Sequence, residues 1–344
     1  MYQSELYKKS VDGPLLICVS VDNIPKVLFI VHTGWYGSHI GCRSLALKIT
    51  RTGLFWPTLS NDTIIYEKTC DACQRLSNTS QKLATTLTPV INTIPFVMWG
   101  IDMVGKLPKK KGGVEYDVVI VDYFIKWVEA APLKQTKGDN IVHFLWKHII
   151  TRFGIPKVLI LDNGPQFEGS VLAEFGEKYG IERRFSPVYY PQANGQVEVM
   201  NRIILSGLKK NMVQTRANKR AWTEELPTVV WSLHTTPSHA TGETPFALVY
   251  GTEVVLPVEV GFPSYRQKGF DEEENNLRMR GELNFTEELR DKALFKMVQY
   301  KHLMARTYNR IAKVIGPATY ELSHLNGKSI NHTWHATKLR KYYV

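Results

Sequence analysis

A run of almost uninterrupted apolar side chains from Tyr116 to Asp122 constrains the fold more than any other feature of this sequence. Such a run is typical of a strand that is buried on both faces, in a sheet covered by helices. Apolar spacing predicts further strands at Leu15–Val19, Gly100–Val104, Lys126–Ala131 (turning at Pro132), Lys157–Leu161 and Glu182–Phe185, and helices at Asn140–Phe153, Gly169–Tyr179 and Asn194–Val213. Strands followed by alternating helices and strands predict an α/β layer fold with one mixed sheet.

The composition is that of a globular chain and excludes several classes of protein. Of the 344 residues, 44% are hydrophobic and 22% are charged, which excludes a disordered tail, a collagen-like fibre and a disulfide scaffold. No apolar run approaches the ~20 residues that a membrane helix needs, so no membrane partner is predicted. The N-terminus lacks the basic-then-apolar order of a secretory signal, and the low cysteine content is typical of a reduced intracellular setting.

The charge balance indicates a polyanionic partner. Lys and Arg number 43 against 32 Asp and Glu, and the net charge of +11 favours nucleic acid over a membrane surface. Residues 292–344 hold ten Lys or Arg and one acid. We expect this segment to face phosphates, and we expect the preceding parts to fold without it. Residues 271–291 hold eight acids and three Arg, which favours a solvated helix face.

Two pairs of metal-ligand residues lie in the N-terminal quarter of the chain. His32 and His39 are separated by six residues, and Cys70 and Cys73 form a Cys-x-x-Cys pair. Zinc prefers four nitrogen or sulfur ligands in a tetrahedron, commonly supplied as two close pairs. The segment between the pairs has helical spacing and then aromatic residues, which suits a small core completed by metal binding. We predict a structural zinc site; the alternative is two buried thiols with two surface histidines.

Three carboxylates are candidates for a second metal site. Asp102 is expected to end the first strand of the α/β part, Asp162 to end the fourth, and Glu198 to lie near the start of the long helix. Two Mg²⁺ ions held by such hard ligands would activate a water or a 3′ hydroxyl and stabilise the leaving oxygen at phosphorus. The chemistry alone does not single out these three, because other carboxylates compete: Asp117, Asp122, Glu168, Glu174 and Glu177.

These motifs resemble those of the retroviral-type integrases, and specifically the integrase segment of a plant gypsy-type LTR retrotransposon polyprotein. The two aspartate motifs stand at Trp99–Asp102 and Asp162–Phe167, and the glutamate motif at Pro191–Glu198. Between Asp162 and Glu198 lie 35 residues, the spacing for which this catalytic family is named. The His-x6-His and Cys-x2-Cys pairs resemble the family's zinc domain, and the resemblance covers about residues 6–310.

The resemblance implies an RNase H-like core and assigns the site residues. The implied catalytic triad, binding Mg²⁺ or Mn²⁺, is Asp102, Asp162 and Glu198, and the implied Zn²⁺ ligands are His32, His39, Cys70 and Cys73. The implied reactions are trimming of the 3′ ends of element DNA and joining of the new 3′ hydroxyls to chromosomal DNA. The implied partners are both DNAs and further copies of the chain, and the implied location is the nucleus. Two alternatives remain open: a catalytically inactive or host-adopted nucleic-acid-binding remnant, and an RNase H-type nuclease, which would not account for the zinc pairs.

Four residues of the glutamate motif and its helix are candidates for DNA contact. Asn194 and Gln196 lie at the end of the loop before the helix and could hydrogen-bond bases or phosphates. The alternative is a simple helix-start loop with Asn194 as the N-cap. Arg202 lies one turn beyond Glu198 on the same face. We predict phosphate contacts for Arg202 and Lys209, with a solvated helix face as the alternative.

The chain departs from the family pattern at two places. Tyr190 stands where the family usually has His, and Tyr308–Arg310 is followed at once by Ala312–Pro317, without intervening barrel strands. A barrel without those strands cannot close its core, so an incomplete SH3-like or chromodomain-like C-terminal β segment is predicted. The predicted domains are an upstream polyprotein lead-in (1–25), a small helical zinc-binding domain (26–76), a linker (77–95), the RNase H-like core (96–255), a helical connector (256–310) and the partial β segment (311–344).

Overall fold

The structure is a computed structural model of the chain. It describes residues 6–9, 15–34, 37–75, 92–110, 112–162, 164–185, 195–214, 221–262, 272–316, 319–323 and 329–335. Asn194, Tyr190 and most of the predicted linker lie outside the described residues.

The N-terminal part is a small helical unit with a minor sheet. Its elements are β1 (Tyr7–Lys8), β2 (Leu16–Cys18), a 3-10 turn (Val21–Asn23), α1 (Ile24–Thr33), α2 (Cys42–Arg51), β3 (Leu54–Phe55), α3 (Leu59–Thr69) and α4 (Asp71–Arg75). The strands lie in the order β1-β2-β3. Leu45 and Ile49, one turn apart on α2, are fully buried in an apolar cluster with Val27 and Val31 of α1. The helices of this unit therefore pack around a shared apolar cluster.

The middle of the chain forms a five-stranded mixed sheet. Its strands are β4 (Met98–Val104), β5 (Tyr116–Asp122), β6 (Val128–Leu133), β7 (Val158–Leu161) and β8 (Glu182–Phe185), in the spatial order β6-β5-β4-β7-β8. Strand β4 pairs antiparallel with β5 and parallel with β7, so the prediction of one mixed sheet is confirmed. Along β5, Val118 and Ile120 pack on one side of the sheet, and Val119 and Val121 pack on the other. This burial on both faces explains the apolar run.

Helices cover both faces of this sheet. They are α5 (Gly138–Phe144), which continues through a π-helical stretch (Leu145–Ile150) into α6 (Thr151–Phe153), then α7 (Pro165–Glu168), α8 (Ser170–Tyr179), α9 (Gly195–Gln214), α10 (Trp222–His234) and α11 (Pro245–Tyr250). Helix α12 (Pro257–Gly261) follows and packs against the N-terminal unit instead. Ile141 of α5 and Leu172 of α8 join the core on one face. Ile204 of α9 and Leu226 of α10 join the core on the opposite face. The three helices predicted here are confirmed to within two residues at each end.

The predicted bounds of the third core strand are wrong. Strand β6 begins at Val128, two residues later than predicted, and it runs through Pro132 to Leu133. Pro132 pairs with Asp117, and β6 is an edge strand, where a residue without an N–H is tolerated. Lys126 lies instead in the turn before the strand, with a φ of 68°. A positive φ at a lysine is uncommon, so no local pattern predicts this turn.

The N-terminal unit packs directly on the core domain. Lys48 is buried, and its Nζ donates a hydrogen bond to Thr235 Oγ1 at the end of α10 (2.9 Å). Arg51 forms ion pairs with Glu243 (2.7 Å) and Glu253 (2.5 Å). Leu256 and Val258, which the sequence places in the helical connector, complete the apolar cluster of α1 and α2. A segment that follows the core domain in the sequence therefore contributes to the apolar cluster of the N-terminal unit.

The C-terminal part begins with a long helix. Helix α13 (Glu272–Ile311) passes without a linker into β9 (Ala312–Gly316), and β10 (Thr319–Ser323) and β11 (Ser329–His335) follow. The strands form an antiparallel sheet in the order β11-β10-β9. The direct passage from helix to strand agrees with the missing segment noticed in the sequence. The relation of this sheet to an SH3-like barrel stays a prediction.

Helix α13 packs on the core domain, which argues against the expectation that the core folds without residues 292–344. Ala293 and Met297 are fully buried in the same cluster as Leu248 of α11. Arg290 Nε donates to the Leu248 carbonyl (2.8 Å). Deletion from residue 292 would remove buried side chains and expose the core. Like the other described helices, α13 lacks the apolar length needed to cross a membrane.

Candidate active site and metal centre

Two of the three predicted catalytic carboxylates lie side by side in the sheet. Asp102 lies within β4 rather than at its end, which corrects the predicted position. Asp162 directly follows β7. Strands β4 and β7 are parallel, and their register pairs Gly100 with Ile160. The same offset, continued by two residues, places Asp102 opposite Asp162.

A glycine allows α9 to bring the third carboxylate to this position. Residues two apart on a strand face the same side, so Gly100 and Asp102 both face α9. A Cβ at Gly100 would lie 2.5 Å from side-chain atoms of both Tyr123 and Val197. Only glycine therefore fits between the strand and the first turn of α9. The next residue of that turn is Glu198.

The other two carboxylates act on the charge of Asp102. The pKa of Asp102 is raised to about 6, mainly by burial and further by the charges of Asp162 and Glu198. Two hydrogen bonds lower the pKa of Asp102: the Met103 N–H donates to its Oδ1 (2.7 Å), and Asn201 Nδ2 donates to its Oδ2 (2.8 Å). Asp162 Oδ1 accepts from the Gly164 N–H (3.0 Å). Clustered carboxylates of this kind suit a hard divalent cation such as Mg²⁺.

The competing carboxylates have other surroundings. Asp122 is buried, and its side chain accepts hydrogen bonds from the N–H groups of Phe96, Phe124 and Ile125 (2.6–3.0 Å), so it closes a turn. Asp117 is buried, and burial raises its pKa to about 8. The three glutamates on α7 and α8 are exposed: Glu168, Glu174 and Glu177.

The structure brings the four predicted zinc ligands together. Their ligand atoms all lie within 4.8 Å of one another, and no other described residues form such a group of three or more His, Cys, Asp or Glu. Cys70 Sγ lies 3.3 Å from His39 Nδ1, and Cys73 Sγ lies 3.4 Å from His32 Nε2. Tetrahedral zinc with ordinary bond lengths sets nitrogen and sulfur ligands about 3.6 Å apart. The cluster therefore fits zinc in both ligand type and spacing, whereas the three carboxylates form a more open group.

Local backbone geometry positions these ligands. His32 lies in the last turn of α1, and the His39 N–H donates to its carbonyl (2.9 Å). Ser38 and His39 both have positive φ, which turns the chain back towards α1. Cys70 follows α3 and Cys73 lies in α4. Burial, with the charges of His39 and Lys210, lowers the pKa of His32 to about 3, so this imidazole is neutral, as a metal ligand must be.

The predicted DNA contacts have different surroundings. Gln196 Oε1 accepts a hydrogen bond from Lys126 Nζ, so its carbonyl oxygen already has a partner within the chain. Arg202 Nε donates to the backbone carbonyl of Glu198 (3.3 Å). Lys209 is exposed on α9. These assignments stay predictions, as does that of Asn194, which lies outside the described residues.

Sequence reasoning missed three residues at these sites. Asn201 lies three residues after Glu198, and this helical spacing could have indicated it. Lys210 Nζ, near the end of α9, donates to the carbonyl of the predicted ligand His39 (3.3 Å). The third is Lys126, whose contact with α9 spans 70 residues of sequence and gives no local signal.

Residues 92–191 match the family model described as integrase core domain. This part of the chain is therefore similar to a retroviral-type integrase core domain. The segment 307–343 matches a domain of unknown function. The Gag-Pol polyprotein of woolly monkey sarcoma virus is 33% identical over 214 residues, which cover 62% of this chain and 12% of the polyprotein. The Gag-Pol polyprotein of avian reticuloendotheliosis virus is 31% identical over 193 residues, which cover 56% of this chain and 16% of that polyprotein. The chain thus spans a small part of these relatives' length.

Among solved structures, the integrase catalytic core domain of HTLV-2 in complex with magnesium shares 23% identity with this chain. The likeness covers 44% of this chain and 95% of that domain, with a TM-score of 0.37. A simian T-cell lymphotropic virus intasome shares 18% identity over 63% of this chain and 71% of its own, with a TM-score of 0.46. The family match of residues 92–191 agrees with the predicted integrase core; it includes Asp102 and Asp162 and ends before Glu198.

Proposed function

We propose that this chain is the integrase of a gypsy-type LTR retrotransposon from a plant, with Asp102, Asp162 and Glu198 as its catalytic residues. The observation that carries the proposal is the register of β4 and β7, which sets two aspartates side by side beneath the first turn of α9. Asp102 and Asp162 lie in the segment 92–191, which matches the integrase core domain model, and Glu198 lies seven residues beyond it. The plant gypsy-type origin rests on the likeness of the sequence motifs.

The proposed chemistry is in-line transfer at phosphorus, in two steps. In the first, a water oxygen bonds to phosphorus and the bond to the neighbouring 3′ oxygen breaks. In the second, the freed 3′ hydroxyl attacks a phosphodiester of the target DNA and displaces its 3′ oxygen. Divalent ions held by the triad would activate the attacking oxygen and stabilise the leaving one.

The protein's own groups would fix the carboxylates for this role. The Met103 N–H and Asn201 Nδ2 each hold one oxygen of Asp102, and the Gly164 N–H holds one oxygen of Asp162. The two hydrogen bonds to Asp102 stabilise its charged form, which is the form that binds metal, and the one to Asp162 fixes the position of that carboxylate.

The remaining assignments are part of the same proposal. We propose that His32, His39, Cys70 and Cys73 hold one structural Zn²⁺, supported by their spacing. DNA is the proposed partner, supported by the net charge of +11. A multimer is proposed because one active site acts on one DNA end at a time. Nuclear location follows from a chromosomal target.

The test is a strand-transfer assay with duplex oligonucleotides that carry the element's terminal sequence, in Mg²⁺ and in EDTA. Wild type should form joined products only with Mg²⁺, and Asp162→Asn should form none while keeping its fold. Glu174→Gln, on the exposed face of α8, is the matched control and should keep wild-type rates. DNA binding by wild type without any product would favour the alternative of an inactive remnant.

A further inference from the structure

The turn between β5 and β6, residues 123–127, is held rigidly beside the active site. The Asp122 side chain accepts hydrogen bonds from the N–H groups of Phe124 (3.0 Å) and Ile125 (2.6 Å). The Asp122 N–H in turn donates to the Trp127 carbonyl (2.9 Å), which closes the turn. Lys126 occupies the position of this turn that has a positive φ.

Lys126 is buried in this turn, with 7% of the residue exposed. Its Nζ donates to the Tyr123 carbonyl (2.6 Å) and to Gln196 Oε1 in the first turn of α9. An ammonium group without partners would be costly at such a depth, so both hydrogen bonds matter for keeping it there. Burial, together with the charge of Lys301 on α13, holds its pKa well below the usual range, and the charge of Asp122 opposes this shift.

The same turn also contacts α9 through an apolar residue. The Tyr123 ring is fully buried in one cluster with Val197. Both side chains lie directly against Gly100, where they occupy the space that a Cβ would need. Gln196 and Val197 are the two residues before Glu198. The first turn of α9 is thus held to the sheet by a polar contact at Gln196 and an apolar contact at Val197. Helix ends fray easily, so such contacts decide how well a side chain in the first turn is placed.

We propose that Lys126 is a positioning residue: through Gln196 it fixes the first turn of α9 and thereby holds the Glu198 carboxylate against Asp102 and Asp162. Lys126 does not touch the reacting atoms in this role. The effect on catalysis rests on the proposed function, whereas the effect on α9 does not. The sequence analysis predicts that Gln196 contacts DNA. In this proposal Gln196 is instead the residue of α9 that accepts the hydrogen bond from Lys126.

The test compares wild type with Lys126→Met, which keeps the length of the side chain and removes the ammonium. The matched control is Lys147→Met, an exposed lysine in the helical layer on the opposite sheet face. The primary measurement is hydrogen exchange of the amides at 197–201, in full-length protein without added metal. We expect faster exchange there in Lys126→Met and wild-type exchange in Lys147→Met. Unchanged exchange would overturn the proposal.

The second measurement is the Mg²⁺ concentration that gives half-maximal activity on DNA ends. Loss of a group that orients a metal ligand commonly weakens metal binding about 10- to 100-fold, and we expect a rise of about ten-fold in Lys126→Met. Gln196→Leu should reproduce both effects, and it replaces Lys126→Met if that variant does not fold. The double variant should be no worse than either single variant, because both remove one contact. Additive effects would overturn the proposal.

The two proposals fail separately. If wild type joins DNA ends and Lys126→Met does so with the same Mg²⁺ dependence, the positioning role is wrong and the proposed function stands. If wild type shows no DNA chemistry but the amides at 197–201 exchange faster in both single variants, the proposed function is wrong and the positioning role stands.

Discussion

Asp102 is held between groups that act on its charge in opposite directions. Burial and two neighbouring carboxylates favour the protonated acid, whereas the Met103 N–H and Asn201 favour the anion. With a pKa of about 6 instead of the usual value of 3.8, the fraction of charged Asp102 falls as the pH drops through 6. Protons and metal therefore compete for this side chain just below neutral pH.

We expect that in Asn201→Leu protons compete more strongly with metal for the Asp102 carboxylate. Without the Asn201 hydrogen bond the pKa of Asp102 rises further, so the acid limb of Mg²⁺-dependent activity should move to higher pH. At pH 6.5 the rate should fall by about 10-fold or more, and the loss should shrink as the pH rises. A pH–rate profile of wild type and variant is the measurement. Asn140→Leu, on the other side of the sheet, is the control; a loss in Asn201→Leu that is equal at all pH values would contradict this account.

At the scale of elements, local pattern could predict a strand or helix but not what it contacts. Strand β5 was predicted to the residue because its burial on both faces leaves a continuous apolar run. Strand β6 was misplaced because its start depends on Lys126 adopting a positive φ, which a preceding carboxylate, Asp122, stabilises. Asp102, Asp162 and Glu198 were found through a likeness of motifs, because register between distant strands has no local signal. Asn201 and Lys126, whose roles depend on that register, were missed.

The His/Cys cluster gives a prediction at the same scale. Wild-type protein should contain one zinc per chain, and Cys73→Ser should contain much less, because it removes one of four ligands. Cys18→Ser is the matched control, since Cys18 lies in β2 and outside the cluster. Metal analysis of the purified proteins is the measurement. Equal zinc content in wild type and Cys73→Ser would remove Cys73 from the site.

At the scale of the whole molecule, the N-terminal unit and the core domain are joined by a buried lysine. Burial lowers the pKa of Lys48 to about 7, against the charge of Glu253, while the unfolded chain keeps the usual value of 10.5. Between these values the unfolded state binds more protons, so stability should rise with pH. The melting temperature of wild type should therefore rise between pH 7 and 9 relative to that of Lys48→Met. If the melting temperatures of wild type and Lys48→Met change equally with pH across this range, protonation of Lys48 is not coupled to folding.

DNA affinity should also depend on the molecule as a whole, through its positive charge. We expect log affinity to fall linearly with log salt, by about 0.9 for each phosphate neutralised. Because α13 packs on the core, the tail is better tested by substitution than by deletion. Replacing Lys338, Arg340 and Lys341 with Gln should flatten this slope on one duplex, whereas replacing Lys147 and Lys178 should not. Equal slopes would mean that the C-terminal charge does not face DNA.

The packing of Leu256 and Val258 against α1 and α2 sets an order of events during synthesis. A chain leaves the ribosome N-terminus first, and domains usually fold in that order. Here the N-terminal unit, which ends at Arg75, lacks part of its apolar core until Leu256 and Val258, about 180 residues further on, have been made. The N-terminal helices therefore either fold only after the core domain has been synthesised, or fold earlier around an incomplete apolar cluster. Of these two units, we therefore expect the one that is synthesised earlier to be the one whose structure is completed later.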